Sequence, residues 1–420
     1  MLGSRLTSIA YPMLVLTLTN SPVDAGWAAF AATAPSILVY LPAGALIDRL
    51  NPRTVMLRSE AGRGFAIVAV VIIVACHWRC VPVLIVAGVV EEVLEVFSML
   101  AERRLVGCLS APGQASSALV RVEARTHVVL LAGRPLGGLL FEFRPIFPFL
   151  ADVVTFVVSV AALLGIKDQQ TEDQSTFASL AKELPVGRLR RAISRSAQPP
   201  GGPAREWHIK NDIAEGLKWL GQHRFARAAM TLSTSTTLIC QALIMAFIAQ
   251  VHAQHLSSMT VGIVLAASGL GGVLGSGAAS LLRIPSAHSL IKFQMLVWTA
   301  AFATLAFFGG ESPVLLAVVI MVLGFMGAMG NIEVGTYFAN NASNKLARVA
   351  SMDRLTTFAA CAVGPVLGGF LFQCYGIRGT IYCLFGMIIV ATFYSLAAPS
   401  MHASERRTAE SFGMHAQAAR

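Results

Sequence analysis

Charge is what this chain lacks most. Only 13% of its 420 residues are Asp, Glu, Lys or Arg, while 55% are hydrophobic; a soluble domain carries about a quarter of its residues as charged. That shortage excludes an ordinary water-soluble domain. The seven cysteines form no Cys-x-x-Cys pair and mostly lie inside apolar runs, which argues against a structural metal site. Cys76 and Cys80 bracket one short loop and read as free thiols, with a disulfide as the alternative on an oxidising side. No Gly-Lys-Ser/Thr phosphate loop is present, so ATP is not the energy source within this chain. No nucleophile constellation is present either, and no cofactor is implied. The first apolar run starts almost at Met1 and reads as a retained span rather than a cleaved leader.

What the sequence does have is long apolar runs. Stretches of about eighteen or more recur, each long enough to cross a bilayer core of roughly 30 Å. Charges and turn residues place helices near 2–19, 26–47, 54–76, 82–102, 117–143, 146–166, 228–252, 260–282, 289–309, 314–338, 348–375 and 380–398. The expectation is an all-α polytopic membrane protein with twelve transmembrane helices in two pseudo-symmetric six-helix bundles. The net charge of +10 would suggest nucleic acid in a soluble protein. Here it is concentrated in alternate loops, at Arg49, Arg53, Arg103, Arg104, Arg283, Lys345, Arg348, Arg406 and Arg407 and in a dense run from Lys167 to Arg227. The opposite loops hold only Arg79, Arg144 and Arg378. Lys and Arg stay on the cytoplasmic side, so the partner is the lipid bilayer, not nucleic acid, and both termini are expected inside.

Residues 1–166 form the expected first bundle, 167–227 a cytoplasmic central loop, 228–398 the second bundle and 399–420 a cytoplasmic tail. The loop contains "RSAQPPGG", a flexible-linker composition. After it comes "IKNDIAEGLKWLGQHRF", with Ile209, Ile213, Leu217 and Leu220 at helical spacing beside Lys210, Lys218 and Arg224. This reads as a basic amphipathic helix on the inner leaflet. A repeat links the halves: "LAGRPLGGLLF" (131–141) aligns with "AVGPVLGGFLF" (362–372), Gly137 on Gly368 and Gly138 on Gly369, and at the same offset Glu102 meets Glu333. Duplicated six-span units belong to transporters that rock two halves about a central site.

Between the second and third runs stands "GALIDRLNPR". It resembles the Gly-x-x-x-Asp-Arg-x-Gly-Arg-Arg signature of the major facilitator superfamily at Gly44, Asp48, Arg49 and Arg53, with Asn51 and Pro52 departing from it. The exporters' fifth-span pattern Gly-Pro-x-x-Gly-Gly is intact as Gly364, Pro365, Gly368 and Gly369. In the first half Gly133, Gly137 and Gly138 match, Arg134 holds the proline position and Pro135 follows one place late. "GSRLTSIAYPMLVLTLTNSP", "RSEAGRG" and "AEGLKWLGQH" are similar to the branch that holds the enterobactin exporter and macrolide efflux proteins. The resemblance implies a gate in which Asp48 and the loop arginines latch the inner side, a monomer in a bacterial inner membrane, and antiport.

The sharpest chemistry lies in span four, "VLIVAGVVEEVLEVFSML". At 1.5 Å per residue, Glu91, Glu92 and Glu95 fall near the bilayer middle. Glu91 and Glu95 are one turn apart, and Glu92 reaches Glu95 by the three-residue spacing. An acid at that depth costs about 2.5–3.5 kcal/mol on insertion scales, so these residues must face water, a cation or each other, or carry a proton. Two readings stand: a site for the coupling proton or a cationic substrate group, and a structural ion pair with Arg134 or another intramembrane cation. Asp152 reads as interfacial near the outer end of span six, and Glu60 with Arg63 as a structural pair. Glu102 and Glu333 read as inner-mouth salt bridges with Arg103, Arg104 or Lys345. The glycines of span eight, Gly269, Gly271, Gly272, Gly275 and Gly277, allow close helix approach. His208, His223, His252 and His255 lie in or beside loops and suggest no metal.

The functional expectation is a secondary active transporter, not an enzyme: a proton-coupled exporter of an amphipathic small molecule such as a drug, macrolide or siderophore. A nutrient importer and a non-transporting sensor or scaffold of the same fold are the alternatives.

Overall fold

Helix ends follow local chemistry. In the computed structural model, Asn51 caps the third helix by accepting from the Arg53 backbone N–H at 3.0 Å, and Pro52 follows at its first position, where a missing N–H costs nothing. Asn20 takes a left-handed φ of 53° between the first two helices, a conformation Asn tolerates better than most residues. His255 does the same at φ 52° between the seventh and eighth.

The structure describes residues 2–47, 50–76, 81–109, 129, 131–165, 220–281, 287–309, 312–341 and 346–397. Among these it is helical throughout, with no strand. The helices are α1 (Leu2–Thr19), α2 (Pro22–Ile47), α3 (Pro52–Ala75), α4 (Val81–Leu109), α5 (131–143), α6 (Phe147–Gly165), α7 (Arg224–Ala253), α8 (Ser258–Leu281), α9 (Ala287–Phe308) and α10 (Pro313–Asn341). A last stretch, Leu346–Ala397, breaks at Gly376, whose φ is 65°. Its arms are α11 (346–375) and α12 (377–397). Six segments are by length and apolarity sufficient to cross a membrane: α6 to α10 and the α11–α12 stretch. Helices α3 and α4 interrupt their apolar runs with the charges of the site. Asp48, Arg49, Cys80, Lys345, His208, most of 167–227 (including Ile209, Ile213 and Leu217) and the tail after 397 lie outside the described residues.

Helices α1 and α7 are the most enclosed elements, contributing Met13, Leu14 and Leu16, and Ile239, Leu243 and Phe247, to one shared core. Outer helices instead turn large apolar side chains outward: Val154, Val157 and Val158 on α6, Phe307 and Phe308 on α9, and Val390 and Phe393 on α12 are all exposed. A contiguous apolar exterior of this kind is a lipid-facing surface. The first bundle packs α1 against α2 and α6, α3 against α4 and α6, and α2 against α4. The second packs α7 against α11–α12, α8 against α10, and α9 against α10 and α12.

The repeated glycines show how the bundles relate. A side chain on Gly137 would strike the Leu6 backbone of α1, and one on Gly368 the Ala242 backbone of α7. Their neighbours turn the other way: Gly138 abuts Ser258 and Gly262 of α8, and Gly369 abuts Pro22 and Val23 of α2. Each couplet thus joins its helix once to its own half and once to the other. The Arg134 carbonyl meets Gly262 as the Pro365 carbonyl meets Gly26. These matched contacts are pseudo-two-fold symmetry expressed residue by residue, and only glycine allows backbones so close.

Candidate functional site

A cavity of about 720 Å³ runs between the two bundles. Its walls come from α1, α2, α3 and α4 on one side and α7, α8 and α11 on the other, with Arg134 of α5 at the seam. It reaches Leu2, Glu102 and the exposed Arg354 at one end. At the other end the halves meet. Asn20 and His252 share a hydrogen bond of 3.1 Å, and the Ser258 backbone N–H donates to Glu142 at 2.5 Å.

One guanidinium organises the polar wall. Arg63 on α3 is 2% exposed, and its Nη2 donates to Ser4 Oγ at 2.6 Å and to Glu95 Oε2 at 3.1 Å. Glu91 Oε1 lies 3.6 Å from the same nitrogen, and Glu60 Oε1 lies 3.4 Å from Nη1. Ser98 Oγ donates to Glu60 at 2.6 Å. The guanidinium also sits 4.9 Å over the Phe156 ring, a cation–π placement, while its buried Nε has no acceptor. Arg5 adds a second, looser cation at 3.9 Å from Glu95. Three carboxylates on one buried cation leave an excess of negative charge that Arg5 only partly offsets.

Glu92 stands apart. It lines the cavity and accepts from Ser36 Oγ at 3.3 Å; among the described residues no cation lies within ion-pair distance of it. All three span-four acids therefore line the passage between the bundles, none turned to lipid.

Several assignments differ from the sequence reading. Arg134 is not the counter-charge of the acids: its Nη1 donates to Ser268 Oγ at 2.8 Å and the Leu265 carbonyl at 3.4 Å, both on α8. The acids take Arg63 and Arg5 instead. Asp152 is fully buried inside the protein, accepting from Thr7 Oγ1 of α1 at 3.3 Å and from Thr155 Oγ1 at 3.1 Å. Glu60 and Arg63 do pair, but within a larger network. The sequence reading misses Tyr11, whose buried hydroxyl has no hydrogen-bond partner among the described residues and whose ring stands edge-on to Phe149 at 5.2 Å. Of the loop motif, Gly44 lies in the last turns of α2, and Arg53 donates to the Leu163 and Leu164 carbonyls at 3.2 Å, a cation at the C-terminus of α6. Among the described residues no group of three His, Cys, Asp or Glu is arranged to hold a metal.

Comparison with known proteins agrees with this architecture. The Major Facilitator Superfamily profile matches residues 1–283. The multidrug efflux pump Tap of Mycobacterium tuberculosis is 23% identical over 412 residues, covering 95% of this chain and 90% of the pump. Tap of Mycolicibacterium fortuitum is 23% identical over 391 residues, covering 91% and 88%. Among solved structures, the nucleoside transporter NupG superposes with a TM-score of 0.66 at 12% identity, covering 94% and 98%. The human organic anion transporter MFSD10 (TETRAN) gives 0.55 at 16% identity, covering 94% and 97%; at such identities these two share the fold alone. With two symmetric helical bundles about a central cavity and a profile match over most of its length, the chain belongs to the Major Facilitator Superfamily: it is a membrane transporter of small molecules, not an enzyme.

Proposed function

We propose that this chain is a proton-coupled exporter of an amphipathic small molecule bearing a cationic group, of drug, macrolide or siderophore type, working by alternating access. The observation that carries the reading is Glu92, a cavity carboxylate with a hydroxyl for a neighbour and, among the described residues, no cation within ion-pair distance. Such a group needs a proton or an external cation. Proton and substrate then compete for the same oxygens, which is the exchange antiport requires. Glu91 and Glu95, held on Arg63, are the adjoining members of the site. The intact Gly364–Pro365–Gly368–Gly369 pattern and the efflux pumps among the relatives favour export.

The Lys/Arg bias puts the termini, and the end of the cavity near Glu102 and Arg354, in the cytoplasm of a bacterial cell, the side from which an exporter loads. The chain divides into bundles 1–166 and 228–398, a central loop 167–227 and a tail 399–420, and acts as a monomer. Gly44, Asp48, Arg49 and Arg53 form the inner latch, and the Arg53 bonds to α6 tie that latch to the first bundle. The test uses everted vesicles with an acid lumen and rhodamine B ethyl ester, a lipophilic cation. Wild type accumulates the dye and loses it on uncoupling; Glu92→Gln, at equal protein level, accumulates at least tenfold less. Equal accumulation by the variant removes Glu92 from the mechanism, and wild-type flux only in the opposite sense makes the protein an importer.

A further inference from the structure

We propose that Arg134 is an anion subsite of the cavity, and that the transported amphiphile is a zwitterion, with a carboxylate or similar oxyanion for Arg134 besides the cationic group for Glu92. The inference rests on reading the cavity as the substrate site.

The pseudo-symmetry isolates what this side chain adds. Pro365 occupies the equivalent place in α11, and the two residues present their carbonyls to Gly26 and Gly262 in the same way. The backbone packing of the motif is therefore met with or without an arginine. Packing does not account for the guanidinium, which projects to the cavity wall.

Its partners are incomplete. Nη1 is used on two neutral acceptors, Ser268 Oγ and the Leu265 carbonyl. Among the described residues Nε and Nη2 have no acceptor and no carboxylate lies within ion-pair distance, and neither nitrogen is sealed from the cavity. Arg5 packs over Gly133 beside it and adds positive charge while reaching toward Glu95. Glu92 can be neutralised by a proton, but a guanidinium stays protonated in proteins. Among the described residues no anion completes it, and its Nε–Nη2 edge has the planar fork that accepts a carboxylate through two parallel hydrogen bonds. Acids on α4 and this arginine on α5 give the cavity one negative and one positive pole.

The test is equilibrium binding to purified full-length protein, read by fluorescence polarisation. The probes are rhodamine B, a zwitterion at neutral pH, and its ethyl ester, a cation of nearly the same shape. A hydrogen bond to a charged group contributes about 1.5–3 kcal/mol, or roughly tenfold and upward in affinity. Wild type should bind the free acid at least tenfold tighter than the ester. Arg134→Gln should erase that preference while leaving the ester's affinity within twofold. Ser268→Ala, which removes the tie to α8 and keeps the charge, should retain the preference; this separates a ligand contact from a strut between the halves. Equal binding of acid and ester by wild type, no saturable binding of the acid, or a preference that survives Arg134→Gln overturns the subsite. Export is read separately with the ester in vesicles, so either reading can fail while the other stands.

Discussion

Replacing Arg63 with Gln removes the one buried cation on which Glu60, Glu91 and Glu95 converge. Opposite unit charges at the observed 3.1–3.6 Å attract by about 5 kcal/mol each at an effective dielectric of 20. The three acids repel one another, and the desolvation of all four groups offsets much of the gain. The cost of taking away one member of a buried ion pair is about 3–5 kcal/mol. Three orphaned carboxylates would exceed that if they stayed ionised; taking up protons limits the loss to about the same range. In a chain of this size that is a melting point lower by roughly 3–6 °C, read as loss of monodisperse protein on heating in detergent. Adding Glu91→Gln and Glu95→Gln to Arg63→Gln removes two of the three unmatched charges and should recover at least half of the loss. A single variant that melts with wild type, or a triple variant below the single one, would refute the idea that this guanidinium holds the network together.

Three further outcomes follow from the packing. Gly368→Leu forces a side chain onto the Ala242 backbone and should abolish monodisperse protein, whereas Gly277→Ala, whose added Cβ would meet no described atom within 4 Å, should be recovered at wild-type yield. Cysteines at Asn20 and His252, joined by a short thiol-specific crosslinker on a background free of reactive thiols, should hold the closed end shut and stop transport until the link is cleaved; undiminished transport would show that this end need not open. Arg53→Ala loses the bonds to the end of α6 and should lower stability by about 1–3 kcal/mol, with Arg53→Lys recovering part of it in the same melting assay.

The helices were legible because lipid leaves so little choice. Apolar runs punctuated by charge, Gly and Pro mark α1 to α12, and the glycine couplets were readable as a repeat before their contacts were known. What lay beyond sequence was the rotation of each helix. Glu60 and Arg63, three apart on one helix, could be paired by spacing alone. That Glu91, Glu95 and Ser4 share the same guanidinium depends on how α1, α3 and α4 face one another. Opposite charges in lipid seek each other, which makes Arg134 one candidate partner for the acids, yet α5 turns it to the seam, where Ser268 meets it. That Thr7 of α1 covers Asp152 on α6 depends on the same facing of helices.

The couplets at 137–138 and 368–369 carry a consequence for descent. Because the second glycine of each half docks on the other half's second helix, the two junctions are copies of one contact, related as the two sides of an isologous interface are. A six-helix ancestor with a single couplet would already have possessed the self-complementary face needed to dimerise. Tandem fusion would then have preserved a surface that already existed, and left one copy free to exchange its proline for the arginine now found at 134.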